Sequence, residues 1–144
     1  MTSYLKPLLL FFCLGSLGGC SDIPSGPETV RVTGTVHYQG SPIEGANVLF
    51  QPVEGSGQTL ASQSATNAEG QFELSTHVGG GQFKPGIEPG KYSVTITKLD
   101  PASTTMLAPP RNLLPKKYAS PQTSGLSADV VTDKENDFKF TLTD

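Results

Sequence analysis

Residues 89–97, Pro89-Gly90-Lys91-Tyr92-Ser93-Val94-Thr95-Ile96-Thr97, decide the fold class of this chain. Pro-Gly punctuates a turn. Behind it, Tyr92, Val94 and Ile96 alternate with Ser93, Thr95 and Thr97, the period-two pattern of a strand with one face in a core. Thr95 and Thr97 are β-branched and suit a pleated surface, whereas Ser93 adds only to the alternation. The pattern recurs upstream, where Val30, Val32, Gly34 and Val36 alternate with Arg31, Thr33, Thr35 and His37. Gly34 inside that run predicts a bulge or a close backbone approach. Gln39-Gly40-Ser41-Pro42 reads as a turn, and Ala46, Val48 and Phe50 as a second strand ended by Pro52. Glu54-Gly55-Ser56-Gly57 is a flexible loop, residues 60–65 a short strand, and residues 66–70 a turn closing on glycine. Phe72 and Leu74 mark the next strand, and residues 78–89 are glycine-rich and read as a loop. Downstream, residues 126–131 and 137–142 are two closing strands around a turn at 132–136.

That makes about seven short strands spaced roughly 8–12 residues apart, with no segment of helical period, the layout of an antiparallel β-sandwich. The 16 glycines and 12 prolines agree, since both oppose helices. Residues 100–124 stand apart. They contain Pro101, Pro109, Pro110, Pro115 and Pro121 and read as a long irregular excursion with one helical turn near Leu113. Loops of that length are uncommon unless they have a job.

The first twenty residues carry a different kind of information. Lys6 precedes a ten-residue apolar run, 8–17, followed by Leu17-Gly18-Gly19-Cys20. A positive start, a short apolar centre and small residues at a cut site form a secretory leader, and the run is half the ~20 residues a membrane-spanning helix needs. The cysteine after the small residues resembles the lipobox of bacterial lipoproteins, in which that thiol receives a diacylglyceryl group and becomes the new N-terminus. The resemblance implies cleavage after residue 19, lipid (fatty acyl chains such as palmitate) on Cys20, and a polar tether through residue 28 containing Pro24, Gly26 and Pro27.

Removing residues 1–19 leaves 125 of 144, the size of one domain, with enough chain to bury a real core. It also removes Lys6, leaving 9 basic groups against 13 acidic ones, a net of −4. An acidic domain is a poor match for nucleic acid and has no electrostatic pull toward anionic lipid. Cys13 lies within the leader and Cys20 is the lipid acceptor, so the mature domain holds no disulfide, thiolate metal site or cysteine nucleophile.

Four pieces of punctuation occur in one order: Val32-Thr33-Gly34-Thr35-Val36, Gly40-Ser41-Pro42-Ile43-Glu44-Gly45-Ala46-Asn47-Val48, Thr66-Asn67-Ala68-Glu69-Gly70-Gln71-Phe72, and Pro89-Gly90-Lys91-Tyr92-Ser93-Val94. The set resembles the carboxypeptidase regulatory-like domain, of the transthyretin-like group. The resemblance implies an Ig-like, two-sheet antiparallel sandwich across residues 29–144. Gly40 and Gly70 would take backbone angles closed to other residues, Pro42 would fix the approach to the second strand, and Phe72 and Tyr92 would fill the space between the sheets. The fold implies a modular scaffold rather than an activity.

The catalytic option within this fold group is hydrolysis of 5-hydroxyisourate. It requires a histidine at the start of the first strand, an arginine near the second, and a C-terminal Tyr-Arg-Gly-Ser. Here His37 lies at the far end of its strand and the chain closes Thr141-Leu142-Thr143-Asp144. His37 and His77 lack companions at ligand spacing, and Asp133, Glu135 and Asp137 lack the glycine and the later glutamate of a calcium loop. Arg31 stands where a lysine would be needed for an intramolecular Lys–Asn cross-link. Ser103, Ser120 and Ser124 have no nucleophile elbow around them.

What remains is the excursion. Met106, Leu107, Leu113, Leu114 and Tyr118 are apolar, and Arg111, Lys116 and Lys117 give local positive charge. Two uses compete: a contact surface for an envelope protein or a polysaccharide, formed by Arg111, Leu113, Leu114, Lys116, Lys117 and Tyr118, or a flap whose apolar residues fold back over an open edge or end of the sandwich. The second is the more economical. The sequence therefore predicts a non-catalytic lipoprotein of the bacterial cell envelope, without cofactor or metal, held to a membrane by lipid on Cys20. Ser21 does not resemble the aspartate that retains some lipoproteins at the inner membrane, which favours the outer one. A carbohydrate-binding module is the alternative; it needs exposed flat aromatics, for which Tyr38, Tyr92 and Tyr118 are too few and too scattered.

Overall fold

A computed structural model describes residues 26–58, 60–103 and 108–144. The leader, Cys20, tether residues 20–25, and Met106 and Leu107 lie outside the described residues. Ten strands form two sheets: β1 Val32–Tyr38, β2 Ser41–Pro42, β3 Asn47–Pro52, β4 Ser62–Ala65, β5 Gln71–Glu73, β6 Ser75–Gly79, β7 Gln82–Pro85, β8 Gly90–Thr97, β9 Leu126–Val130 and β10 Asn136–Leu142. The larger sheet has the order β7-β6-β4-β3-β8-β9 and is antiparallel throughout. In the smaller sheet β1 is flanked by β10 on one side and by β5 and β2 on the other. The chain is an all-β sandwich.

Two features depart from the sequence-based expectation. Residues 75–85 form a hairpin, β6–β7, where a glycine-rich loop is predicted from residue 78. And β10 runs parallel to β1, with Val32 opposite Asn136 and Tyr38 opposite Leu142. The turn after β9 thus carries the chain across to the other sheet instead of closing a hairpin. Asn136 holds that turn: its side chain accepts from Val131 N at 2.9 Å and donates to Val131 O at 2.8 Å.

Strand alternation builds the core as expected. Val32 and Val36, Val48 and Phe50, Tyr92, Val94 and Ile96, and Phe140 and Leu142 are all buried. Phe50 is the hub, with its ring 5.8–6.2 Å from those of Phe72, Tyr92, Phe138 and Phe140. Tilted and edge-on pairs of this kind add about 0.5–1.5 kcal/mol each beyond the area they bury. Phe72 and Tyr92 lie between the sheets, and the Tyr92 hydroxyl donates to Glu88 O at 2.8 Å. Burial pushes the Tyr92 phenol up to about 12.

Gly34 is a close-approach position, not a bulge. A Cβ there would lie 2.2 Å from the Phe138 carbonyl oxygen and 2.6 Å from the Phe72 ring. Gly70 has two constraints: its φ is +74°, and a Cβ would sit 2.6 Å from Val36 O, the strand whose amide its own carbonyl receives at 2.8 Å.

Candidate functional site

The excursion leaves β8 as a paired arm. Asp100 N donates to Arg111 O, Leu113 N to Lys98 O, and Asn112 Oδ1 accepts from Lys98 N. Leu99 and Asn112 bridge as an isolated antiparallel pair. Two short 3₁₀ turns, η1 Pro101–Ser103 and η2 Lys116–Ala119, stand in place of the single helical turn expected near Leu113.

From Leu113 onward the segment turns into the fold. Leu114 and Tyr118 are buried members of the core cluster. The Tyr118 hydroxyl donates to Thr143 O and accepts from Thr143 N, both at 3.0 Å, and Pro121 O accepts from Ser93 Oγ at 3.3 Å. Thr143 follows β10 of the smaller sheet and Ser93 belongs to β8 of the larger one. The excursion is therefore a strap across the two sheets at the end where β1 and β10 finish. Burial opposes ionisation of Tyr118, but the bonds from Thr143 and the nearby Lys117 ammonium outweigh it and hold the phenol below its ordinary pKa.

Of the six residues proposed from sequence as a contact surface, Leu114 and Tyr118 are thus corrected to packing residues. Arg111, Leu113, Lys116 and Lys117 face solvent. Lys117 is partly engaged, donating to Asp144 O at 2.7 Å with its nitrogen 5.1 Å from the centre of the Tyr118 ring. Burial also takes Tyr92 and Tyr118, two of the three tyrosines weighed for sugar stacking, out of reach of a ligand. The third, Tyr38, is half-buried and its hydroxyl donates to the Asp144 carboxylate, which raises the Tyr38 pKa.

A cleft that sequence reading missed lies on the outer face of the smaller sheet. It encloses about 530 Å³ and is lined by Arg31, Thr33, Thr35, Asn67, Gln71, Glu73 and Asp137 among others. Arg31 grips Glu73 with two bonds, 2.8 and 3.1 Å, and holds the Glu73 carboxyl below its ordinary pKa. Asn67 Oδ1 accepts from the amides of Glu69 and Gln71, and Thr33 Oγ1 donates to Asp137 at 3.4 Å. No histidine or cysteine lines this cleft, and its hydroxyl groups are those of Thr33, Thr35 and Ser64. The polar positions of β1 and β5 advertise only a solvated face, and nothing local links residues 42 apart.

Among the described residues no three His, Cys, Asp or Glu side chains gather as metal ligands. His37 and His77 sit apart: His37 is paired opposite Pro42 on β2, and the His77 ring stands edge-on to Phe83 at 5.1 Å. Ser124 is buried, while the Ser103 hydroxyl donates to Asp100 O and accepts from Arg111 N, fixing the base of the arm. No helix among the described residues is long and apolar enough to cross a membrane. No family model, curated protein or solved structure matches this chain.

Proposed function

We propose that this chain is a non-catalytic lipoprotein of the bacterial cell envelope, a carboxypeptidase regulatory-like sandwich tethered through lipid on Cys20. The observation that carries the reading is the order Lys6, apolar run 8–17, Gly18-Gly19-Cys20, then a polar Pro- and Gly-containing stretch. A diacylglyceryl group with a further amide-linked acyl chain exceeds the two-signal requirement for stable membrane anchoring. The all-β body supports the same reading. It buries a full core without a disulfide, which suits a domain whose one mature cysteine is committed to lipid. In the cleft on the smaller sheet, Arg31 is paired with Glu73, Thr33 with Asp137 and Asn67 with Gln71.

The excursion acts in this reading as a structural strap, with Arg111, Leu113, Lys116 and Lys117 as the part open to an envelope protein or polysaccharide. Detergent phase partition of cells expressing the wild-type chain and Cys20→Ser tests the anchoring. The wild type is expected in the detergent phase and the serine variant in the aqueous phase. Equal partition of both would exclude Cys20 as the anchor.

A further inference from the structure

The two ends of this sandwich differ in what they expose. At the proximal end β1 and β10 begin, β8 begins and β3 and β9 finish, as the pairs Val32–Asn136, Pro52–Tyr92 and Gly90–Val130 show. The Val30–Ile87 bridge ties the two sheets together there. The β6–β7 hairpin overhangs this end: β6 pairs with β4 only through Ser75 and Thr76, so His77 to Gly79 continue past the first residue of β4.

The chain joins the body along that same hairpin. A Cβ on Gly26 would lie 3.0 Å from Val78, Lys84 Nζ donates to Pro27 O at 2.7 Å, and Thr29 Oγ1 donates to Pro85 O at 2.8 Å. The end of the expected tether, at Gly26 and Pro27, therefore lies against the hairpin, and Cys20 is six residue steps from Gly26, at most about 20–22 Å.

Among the described residues, three of the five exposed large apolar side chains sit at this end: Phe83 at 64 %, Val53 at 45 % and Val131 at 37 %. Leu99 and Leu113 are at the other. In the strand order Phe83 belongs to one edge, Val53 follows the central β3, and Val131 follows the opposite edge, so the three span the width of the larger sheet. Phe83 is the one exposed aromatic among the described residues. The neighbouring charges are mixed, Lys84, Lys91 and Lys134 against Glu28, Glu54, Asp133 and Glu135, and give no net pull toward anionic lipid.

We infer that the proximal end seats on the bilayer, with the Phe83 ring entering the lipid interface beside the docked tether and Val53 and Val131 following it to the surface. This rests on lipid anchoring at Cys20. The few residues between Cys20 and Gly26, and the seating of Gly26 and Pro27 on the hairpin, bring this end, and not the strap, to the membrane. An aromatic ring next to a lipid anchor adds apolar burial at the headgroup boundary, and it fixes which face of the domain points away: the strap, with Arg111, Lys116 and Lys117 open to the aqueous side.

The chain has no tryptophan, so a single one reports cleanly. Phe83→Trp and Leu113→Trp would be made in the full lipidated protein, with Cys20 lipidation verified by intact mass. Each would be reconstituted into phosphatidylcholine vesicles with and without acyl-chain bromination. Emission from Phe83→Trp is expected to blue-shift and to fall by about half or more with brominated lipid, with Leu113→Trp unaffected. The Phe83→Trp response should be insensitive to salt and to added phosphatidylglycerol. An unquenched Phe83→Trp in lipidated, vesicle-bound protein would overturn the seating while leaving the anchor intact. Equal quenching at both positions would overturn the orientation. A blue shift without vesicles that grows with protein concentration would identify a second copy as the occupant instead. An unmodified Cys20 would remove anchoring and seating together.

Discussion

Replacing Gly34 with alanine should cost far more than replacing a glycine in an open turn, for a reason that lies in packing and not in backbone freedom. Gly34 occupies the centre of β1, between β5 and β10. An added Cβ meets Phe138 O at 2.2 Å and the Phe72 ring at 2.6 and 2.7 Å. The carbonyl belongs to the parallel ladder and must retreat by about 1.2 Å to reach ordinary contact. That parts β10 from β1 and weakens roughly two ladder bonds, each worth about 0.5–1.5 kcal/mol. Phe72 cannot simply swing aside, because it is stacked on Phe140 at 6.2 Å and tilted against Phe50. Forcing extra volume into such a core adds about 1–3 kcal/mol. Together the loss is about 2–6 kcal/mol, a large share of the ~5–15 kcal/mol that holds a typical domain together. Gly45→Ala is the comparison: its φ is +68° with nothing within 4 Å of the added atom, so only the left-handed backbone is penalised, at about 1–2 kcal/mol. Urea unfolding followed by far-UV circular dichroism measures both. A Gly34→Ala midpoint equal to or above that of Gly45→Ala would refute the packing argument.

The strap and the buried tyrosine give two further expectations. Tyr118→Ala removes a core ring and both bonds to Thr143, and should lower stability by about 3–5 kcal/mol in the same unfolding assay, against no more than ~0.5 kcal/mol for Lys116→Ala; similar small losses in both would mean the segment is not pinned. Because the Tyr92 pKa is raised to about 12, the stability that group contributes is fully present below ~10 and is lost as pH rises through 12. Tyr92→Phe should cost ~1 kcal/mol at neutral pH, through the lost bond to Glu88 O, and should flatten the decline between pH 10 and 12; an unchanged alkaline decline in the variant would place its cause elsewhere.

The parts of the fold legible in the sequence are those whose buried slots are apolar. Tyr92, Val94 and Ile96, like Val48 and Phe50, announce their strands because every second residue goes into the core. The hairpin β6–β7 is illegible for the opposite reason. Its core-facing slot is Thr76, wholly buried, whose hydroxyl donates to Gly86 O, while its one large ring, Phe83, faces out. β4, which the sequence does show as a short strand within residues 60–65, also has a polar interior slot: Ser62 is buried and its hydroxyl donates to Ser75 O at 2.7 Å. A hydroxyl that finds a backbone carbonyl can occupy an interior position without leaving a hydrophobic period behind it. The parallel pairing of β1 with β10 joins residues about a hundred positions apart, and no local pattern encodes it. Within the strap, the folding back of apolar residues over the sandwich is the reading the sequence favours, and it holds for Leu114 and Tyr118, but that Leu113 stays out is not legible. The close approach at Gly34 was readable from a lone glycine in an alternating strand; the partners that make it necessary were not.

Lipid on Cys20 underlies the proposed location, orientation and membrane seating of this domain, and intact-mass and tandem mass spectrometry of the polypeptide purified from its own envelope tests it most directly. The expected species begins at residue 20, with a diacylglyceryl thioether on that cysteine and an acylated amino group. A polypeptide that retains residues 1–19 and carries a free sulfhydryl at position 20 would contradict it.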